Sequence, residues 1–224
     1  MSVTFYYVRH GQTMFNLQRR LQGMCDSPLT EKGLSDAHRA ERALRTIPFD
    51  RAFCSSSERC IDTAGIILER QNITAKPMKA LKEIDFGEMD GYLIQEIKEE
   101  FERRKKTDDF GDLGGDTRAS IYKRITETFT KLADSARDGE KILVVSHGSF
   151  GMHTLDVLFN MDTFAFEEER RKTEPNQFAF PNCGIMKFRR NNGVWELMEL
   201  PCEPEQFTDR QETIEIPFPK QQVY

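Results

Sequence analysis

Val3-Thr4-Phe5-Tyr6-Tyr7-Val8-Arg9-His10-Gly11-Gln12-Thr13-Met14-Phe15-Asn16 decides how this chain is read. The apolar run Val3 to Val8 predicts a strand, and Arg9-His10-Gly11 then falls at its carboxyl end. A second run, Ile142 to Val145, leads in the same way to Ser146-His147-Gly148. In an open parallel sheet, ligands bind outside the carboxyl ends of the strands, at a topological switch point. Two histidines far apart in sequence are thereby expected in one site.

The chemistry of the first segment is specific. A neutral histidine nitrogen is a nucleophile, and the arginine beside it offers a planar fork of donors suited to an anion such as phosphate. Taken alone, Arg-His-Gly has a plain alternative, a hydrogen-bonded supporting histidine. Further segments weigh against that alternative. Pro28-Leu29-Thr30-Glu31-Lys32-Gly33 opens a helical stretch, and Cys54-Ser55-Ser56-Ser57-Glu58-Arg59-Cys60-Ile61-Asp62-Thr63-Ala64 follows the short run Arg51 to Cys54. Leu81-Lys82-Glu83-Ile84-Asp85-Phe86-Gly87 follows Lys76 to Ala80.

These five segments, in this order, resemble the histidine phosphatase superfamily, in its phosphoglycerate-mutase-like branch, over about residues 3 to 188. The resemblance implies an α/β fold, a three-layer α/β/α sandwich with a mostly parallel central sheet. It implies a covalent phosphohistidine on His10, which replaces one difficult displacement by two easier ones. Arg9, Arg59 and His147 match the cationic pocket around the phosphoryl group, so His147 is expected protonated in the working complex. Asn16, Gly148 and the backbone N–H groups after His10 are expected as further phosphate donors, with Gln12 and Thr13 in the same loop. Glu83 matches the general acid and base, with Asp85, Glu88 and Asp90 as rivals in a crowded acidic stretch.

For Arg59 the plain alternative is a solvated helix residue. Its place at a helix start after a Ser-rich turn favours phosphate instead. The chain departs from the family's common pattern at Met89-Asp90, where many relatives carry an aromatic residue and glutamate, and at Ser149-Phe150-Gly151. Phe150 is expected either in the pocket lining or in the core.

At 224 residues the chain fits one catalytic domain spanning 1–224. A net charge of −5 gives no general attraction to nucleic acid or to an anionic membrane. No apolar run is long enough to span a bilayer and no leader pattern is evident, so a cytoplasmic location is expected. Cys25, Cys54, Cys60, Cys183 and Cys202 suit reduced thiols and lack zinc-site spacing; no metal and no cofactor are expected. Cys54 and Cys60 flank the expected phosphate loop. The expected partner is a small phosphorylated substrate, and the protein is expected as a monomer or homodimer.

Helices are predicted over 30–45, with Thr30 as N-cap and Leu34, Ala37 and Leu44 inward, and over 58–70, with Ile61, Ala64 and Leu68 inward. A third, 116–135, carries the stripe Ile121, Ile125, Phe129 and Leu132. Between Gly91 and Asp116 lies an insertion, a cap or lid over about 91–116, with a charged helix Ile94 to Lys106 and a Gly-rich end, Phe110 to Gly115. Its Arg103, Arg104, Lys105 and Lys106 read as a solvated face, with substrate contact as the other reading. Gln177 to Arg189 and Val194 to Leu200 flank Asn191-Asn192-Gly193, a hairpin signal, within a C-terminal hairpin and tail over about 177–224.

Three functions remain open at this level. A phosphomonoesterase is favoured; a cofactor-dependent phosphoglycerate mutase is the alternative, weakened by Ile84 where mutases carry arginine after the acid. A non-catalytic phosphate-binding protein would have no need of the acid.

Overall fold

The computed structural model describes residues 1–173 and 178–220. Six strands form one sheet: β1 (Ser2–Arg9), β2 (Arg51–Ser55), β3 (Lys76–Met78), β4 (Glu140–Ser146), β5 (Ile185–Asn191) and β6 (Val194–Cys202). Their order is β3-β2-β4-β1-β5-β6. The first four are mutually parallel; β5 and β6 add antiparallel at one edge.

The helices are α1 (Met14–Leu17), α2 (Glu31–Leu44), α3 (Glu58–Ile67), α4 (Lys98–Thr107), α5 (Arg118–Asp134), α6 (Gly148–Phe159) and α7 (Thr163–Thr173). The continuous apolarity of β1 follows from its position: both faces are covered. Phe5 and Tyr7 pack with Ile121, Ile125 and Phe129 of α5 and Leu155 of α6. Tyr6 and Val8 face Ala37, Ala40 and Leu44 of α2 and Ala64 and Ile67 of α3. The result is the expected α/β/α sandwich. Phe5 stacks on Phe188 at 5.2 Å and meets the edge of Phe129 at 5.6 Å, pairs worth about 0.5–1.5 kcal/mol each beyond area burial.

Chain topology places the site. From β1 the chain turns to α2 on one face, whereas from its parallel neighbour β4 it turns to α6 on the other. The carboxyl ends of β1 and β4 therefore flank a switch point, and His10 and His147 lie one residue past them.

Several boundaries differ from the sequence reading. Leu34 and Ile61, read as inward, are exposed; α2 turns Gly33, Ala37, Ala40 and Leu44 to the sheet, and α3 turns Cys60, Ala64 and Ile67. The cause on α2 is backbone contact: a Cβ on Gly33 would stand 2.1 Å from the Gln12 carbonyl oxygen, which fixes the helix's rotation. The charged helix starts at Lys98 rather than Ile94 because Ile94 N–H donates to the Arg19 carbonyl and Leu93 bridges Arg20. Strand β5 starts at Ile185, after a turn in which Cys183 takes a left-handed φ of 55°. Gln177, where the sequence reading began that strand, lies outside the described residues.

The Thr30 cap, the α5 stripe and the hairpin are found as expected. Asn192 and Gly193 both have positive φ, as a two-residue hairpin turn of matching twist requires. Residues after Cys202 return over the body: Ile214 N–H donates to Leu197, and buried Lys187 pairs with Asp209. All five cysteines are free. Among the described residues, no helix is long and apolar enough to cross a membrane.

Candidate active site

His10 is 3% exposed and His147 is fully buried, with ring centroids 5.3 Å apart. His10 Nδ1 lies 2.8 Å from the Gly11 carbonyl. A carbonyl only accepts, so Nδ1 carries the proton and Nε2 presents its lone pair. Burial holds the His10 pKa well below the usual histidine range, and the charges of Arg59 and Arg9 push it further down. The ring is thus a neutral imidazole with its free nitrogen at Nε2. Gly11 N–H, at the base of this loop, donates to Thr63 Oγ1 of α3 at 3.0 Å.

Arg59 sits on α3 and is fully buried. Its Nη1 donates to the Cys25 carbonyl and to Asp26, and its Nη2 to the Gly23 carbonyl and to His147 Nδ1 at 3.0 Å. Because arginine only donates, Nδ1 of His147 is the acceptor, and Nε2 carries the hydrogen toward Ser55 Oγ at 2.8 Å. His147 is therefore neutral in this arrangement; the protonated state that the resemblance implies belongs to the complex with a phosphoryl group. Burial, then the charge of Arg59, depresses its pKa. Cys60, one of the two cysteines flanking this loop, places its Sγ 3.5 Å from His147 Nε2.

Arg9 donates through Nη1 to the Phe180 carbonyl and lies 4.6 Å from the ring centre of Phe178. Burial brings its pKa down to about 10 against the opposing charge of Glu83, so it stays cationic at neutral pH. Gly148 opens α6 beside it; a Cβ there would stand 3.1 Å from Arg9 Nε, a tight approach that would require the guanidinium to shift by a few tenths of an ångström. Among buried side-chain nitrogens, Nε of Arg9 and Nε of Arg59 both lack an acceptor. Two unpaired cationic donors beside one neutral histidine make a site ready for an oxyanion.

Glu83 is 5% exposed. Its carboxylate sits at the N-terminus of α6, accepting from Ser149 N–H at 3.0 Å and Phe150 N–H at 2.7 Å. Arg124 of α5 donates to the carbonyls of Lys82 and Glu83 and to Asp116, fixing the loop that carries it.

Its rivals do other work. Asp85 accepts from Gly87 N–H within its own turn, and Glu88 is exposed. Asp90 accepts from three consecutive N–H groups, Gly23, Met24 and Cys25. That is the same loop whose carbonyls hold Arg59. Asn16 Oδ1 accepts from Thr13 N–H and Asn182 Nδ2, which leaves its own Nδ2 as its donor. Phe150 is core, packed near Phe129 with Arg124 over its ring. In the insertion, Arg103 and Arg104 pair with Glu100, Arg104 also with Asp112, and Lys105 with Glu167.

Ser55, Thr63, Asp26 and Arg124 were missed as site residues by sequence reasoning. Ser55 and Thr63 lay inside the quoted motif and their polarity was visible. Nothing in the pattern of α5 marked Arg124, whose target is backbone.

Fold and site together define a phosphoglycerate-mutase-like α/β protein. The model of the histidine phosphatase superfamily (branch 1) matches residues 5–202, and the chain belongs to that family. It is similar to the "Probable phosphoglycerate mutase GpmB" of Yersinia pestis (strain Pestoides F), 28% identical over 85% of this chain and 86% of that one. Among solved structures, a phosphoglycerate mutase from Bacillus anthracis str. Sterne aligns with TM-score 0.73 at 25% identity, over 89% of this chain and 92% of that one. A phosphoserine phosphatase from Entamoeba histolytica shares the fold, with TM-score 0.74 at 23% identity over 90% and 98%.

Proposed function

We propose that the protein is a phosphomonoesterase acting on small phosphorylated metabolites through a phosphohistidine on His10. The observation that carries this reading is the pairing of a neutral His10, its Nε2 lone pair free, with two buried arginines whose Nε donors have no protein acceptor. Nε2 attacks phosphorus, the P–O bond to the leaving group breaks, and charge on the equatorial oxygens is met by Arg9, Arg59, Gly148 N–H and His147. An oxyanion that takes the Nη2 hydrogen of Arg59 releases His147 Nδ1 to be protonated and to donate in turn. Glu83, once protonated, delivers its hydrogen to the departing alkoxide; as carboxylate it then takes a proton from the water that cleaves the N–P bond. Asn16 serves through its contact with Asn182, which in turn donates to the His10 carbonyl.

Phosphoglycerate mutase is the second reading, favoured by the names of the Yersinia and Bacillus relatives. It differs in returning the phosphoryl group to a bound intermediate rather than to water. A single assay separates the two: the purified protein is incubated with a panel of phosphomonoesters, among them 3-phosphoglycerate with and without its bisphosphate cofactor, and phosphate release and isomer formation are recorded together. Release without isomerisation supports the phosphatase, and isomerisation without release replaces it. His10→Ala should abolish acid-labile phosphoenzyme and turnover alike; turnover persisting in that variant refutes the covalent route.

A further inference from the structure

We infer that His153 is a positioning residue for Glu83, joining the insertion to the general acid and base through a single peptide group of α6. The inference rests on the role proposed above for Glu83. His153 lies on the second turn of α6 and is itself absent from every motif that defines the site. Its Nδ1 is 2.8 Å from the Ser149 carbonyl, and its Nε2 is 3.0 Å from Asp108 Oδ1. A carbonyl and a carboxylate have no hydrogen to give, so both ring nitrogens must donate and the ring is an imidazolium.

The other end of that carbonyl is what matters. The peptide whose oxygen accepts from His153 is the one whose nitrogen, at Phe150, donates to Glu83 Oε1 at 2.7 Å. A cation on the oxygen polarises the peptide and strengthens its N–H as a donor to the carboxylate. The bonds form one line: Asp108, His153, the 149–150 peptide, Glu83.

Asp108 ties this line to the insertion. It is the C-cap of α4, held at a left-handed φ of 50°, and it is 4% exposed. Arg118 of α5 donates to its Oδ2. The charged and titratable groups around His153 are thus Asp108 from the insertion, Arg118 and Tyr122 from α5, Glu83 from the loop after β3, and Asp156 on α6, the last bonded to Tyr122 and Lys220. Burial alone would lower the His153 pKa; the bond and charge of Asp108, the Ser149 carbonyl and Glu83 outweigh it and raise it. For Asp108, burial pushes upward, and His153 and Arg118 bring the net shift down.

The test has two parts. In the wild-type protein, a pH titration of the His153 ring followed by NMR should show the imidazolium persisting through pH 6.5, with its midpoint moved lower in Asp108→Asn. A ring already neutral at pH 6.5 overturns the inference without any variant. In kinetics, His153→Gln should lower the ratio of alkyl to aryl phosphate turnover about tenfold, a fraction of the effect of a general acid. It should also move the limb of the pH–kcat profile that reports Glu83 to higher pH. Adding Asp108→Asn to His153→Gln should cost little more, since both act through one contact. An unmoved limb in an active His153→Gln enzyme overturns the positioning role alone. A wild-type protein that forms no phosphohistidine from an aryl phosphate removes the phosphatase reading, and with it the target His153 positions, while the titration still decides whether the bridge is charged.

Discussion

Asp90→Asn keeps the size of the side chain and removes one acceptor. Asp90 Oδ1 accepts from Gly23 N–H at 2.6 Å, and Oδ2 from Met24 and Cys25 at 2.6 and 3.0 Å. An asparagine can retain its oxygen on the pair side only by turning its NH2 toward Gly23, donor against donor. One hydrogen bond to a charge is lost, about 1.5–3 kcal/mol, and the remaining two weaken as the charge goes. Because Asp90 is only half-buried, we expect a net loss of about 2 kcal/mol, in the lower part of that range.

For a protein of this size that is a fall in Tm of roughly 4–8 °C. The same loop gives Arg59 two of its acceptors, the Gly23 and Cys25 carbonyls. Loosening it should therefore weaken oxyanion binding as well. The assay pairs urea unfolding with competitive inhibition by inorganic phosphate. A variant destabilised by less than about 0.5 kcal/mol, the ordinary range of surface changes, and with an unchanged inhibition constant would refute the reasoning.

Glu83→Gln should slow alkyl phosphates far more than aryl phosphates, whose leaving groups need little protonation; equal losses would argue against the acid role. Stability should fall with acidification, because His10 and His147 are held neutral in the folded chain while both titrate near pH 6.5 when unfolded. The unfolded state then binds the extra protons below that pH, at a cost on the order of 1.4 kcal/mol per histidine per pH unit. His153, with its raised pKa, contributes stability that is fully present below the unfolded value near pH 6.5 and is lost only as pH rises through its folded-state pKa; one such group does not offset the loss at His10 and His147, so urea midpoints should decline from pH 7 to 5.5, and a rising midpoint contradicts the assignment. Chelators should leave turnover intact, and strong inhibition by one would point to a metal among the reacting groups.

The parts of the fold that sequence displays are those where one local rule dominates. Strands β1 and β4 are apolar throughout because helices cover both faces, and their ends carry the histidines. The α5 stripe is regular, and Asn192-Gly193 has one favoured turn. Helices α6 and α7 were not foreseen: α6 is apolar around most of its surface, with Phe150, Met152, Leu155, Val157, Leu158 and Phe159, so no clean period stands out. Strand β5 was read too long because Phe178, Ala179 and Phe180 look like strand, whereas Pro181 and Cys183 turn the chain so that Phe180 and Gly184 bond Arg9.

The motifs located Arg9, His10, Arg59, Glu83 and His147 in one place. They left out the partners that fix protonation and rotamer, Ser55, Thr63, Asp26 and Arg124, because those roles exist only once α3, α5 and the loop at Gly23 are folded against one another. His153 was invisible for the same reason. Its two acceptors belong to segments 45 residues apart or to its own helix backbone, and no spacing encodes that.

The central position of β1 has a consequence for how the chain is made. It precedes the other five strands of the sheet in the chain, yet Val3 pairs with Glu140 on one side and with Arg190 on the other. At roughly 5–20 residues per second, β1 waits on the order of ten seconds for its first neighbour and longer for its second. Throughout that interval both edges of β1 lack their sheet partners, and the Phe5 and Tyr7 face waits for α5 and α6, on the segment that also bears His10. The native sheet is built of such distant pairings, which makes folding slow relative to a helical protein of equal stability.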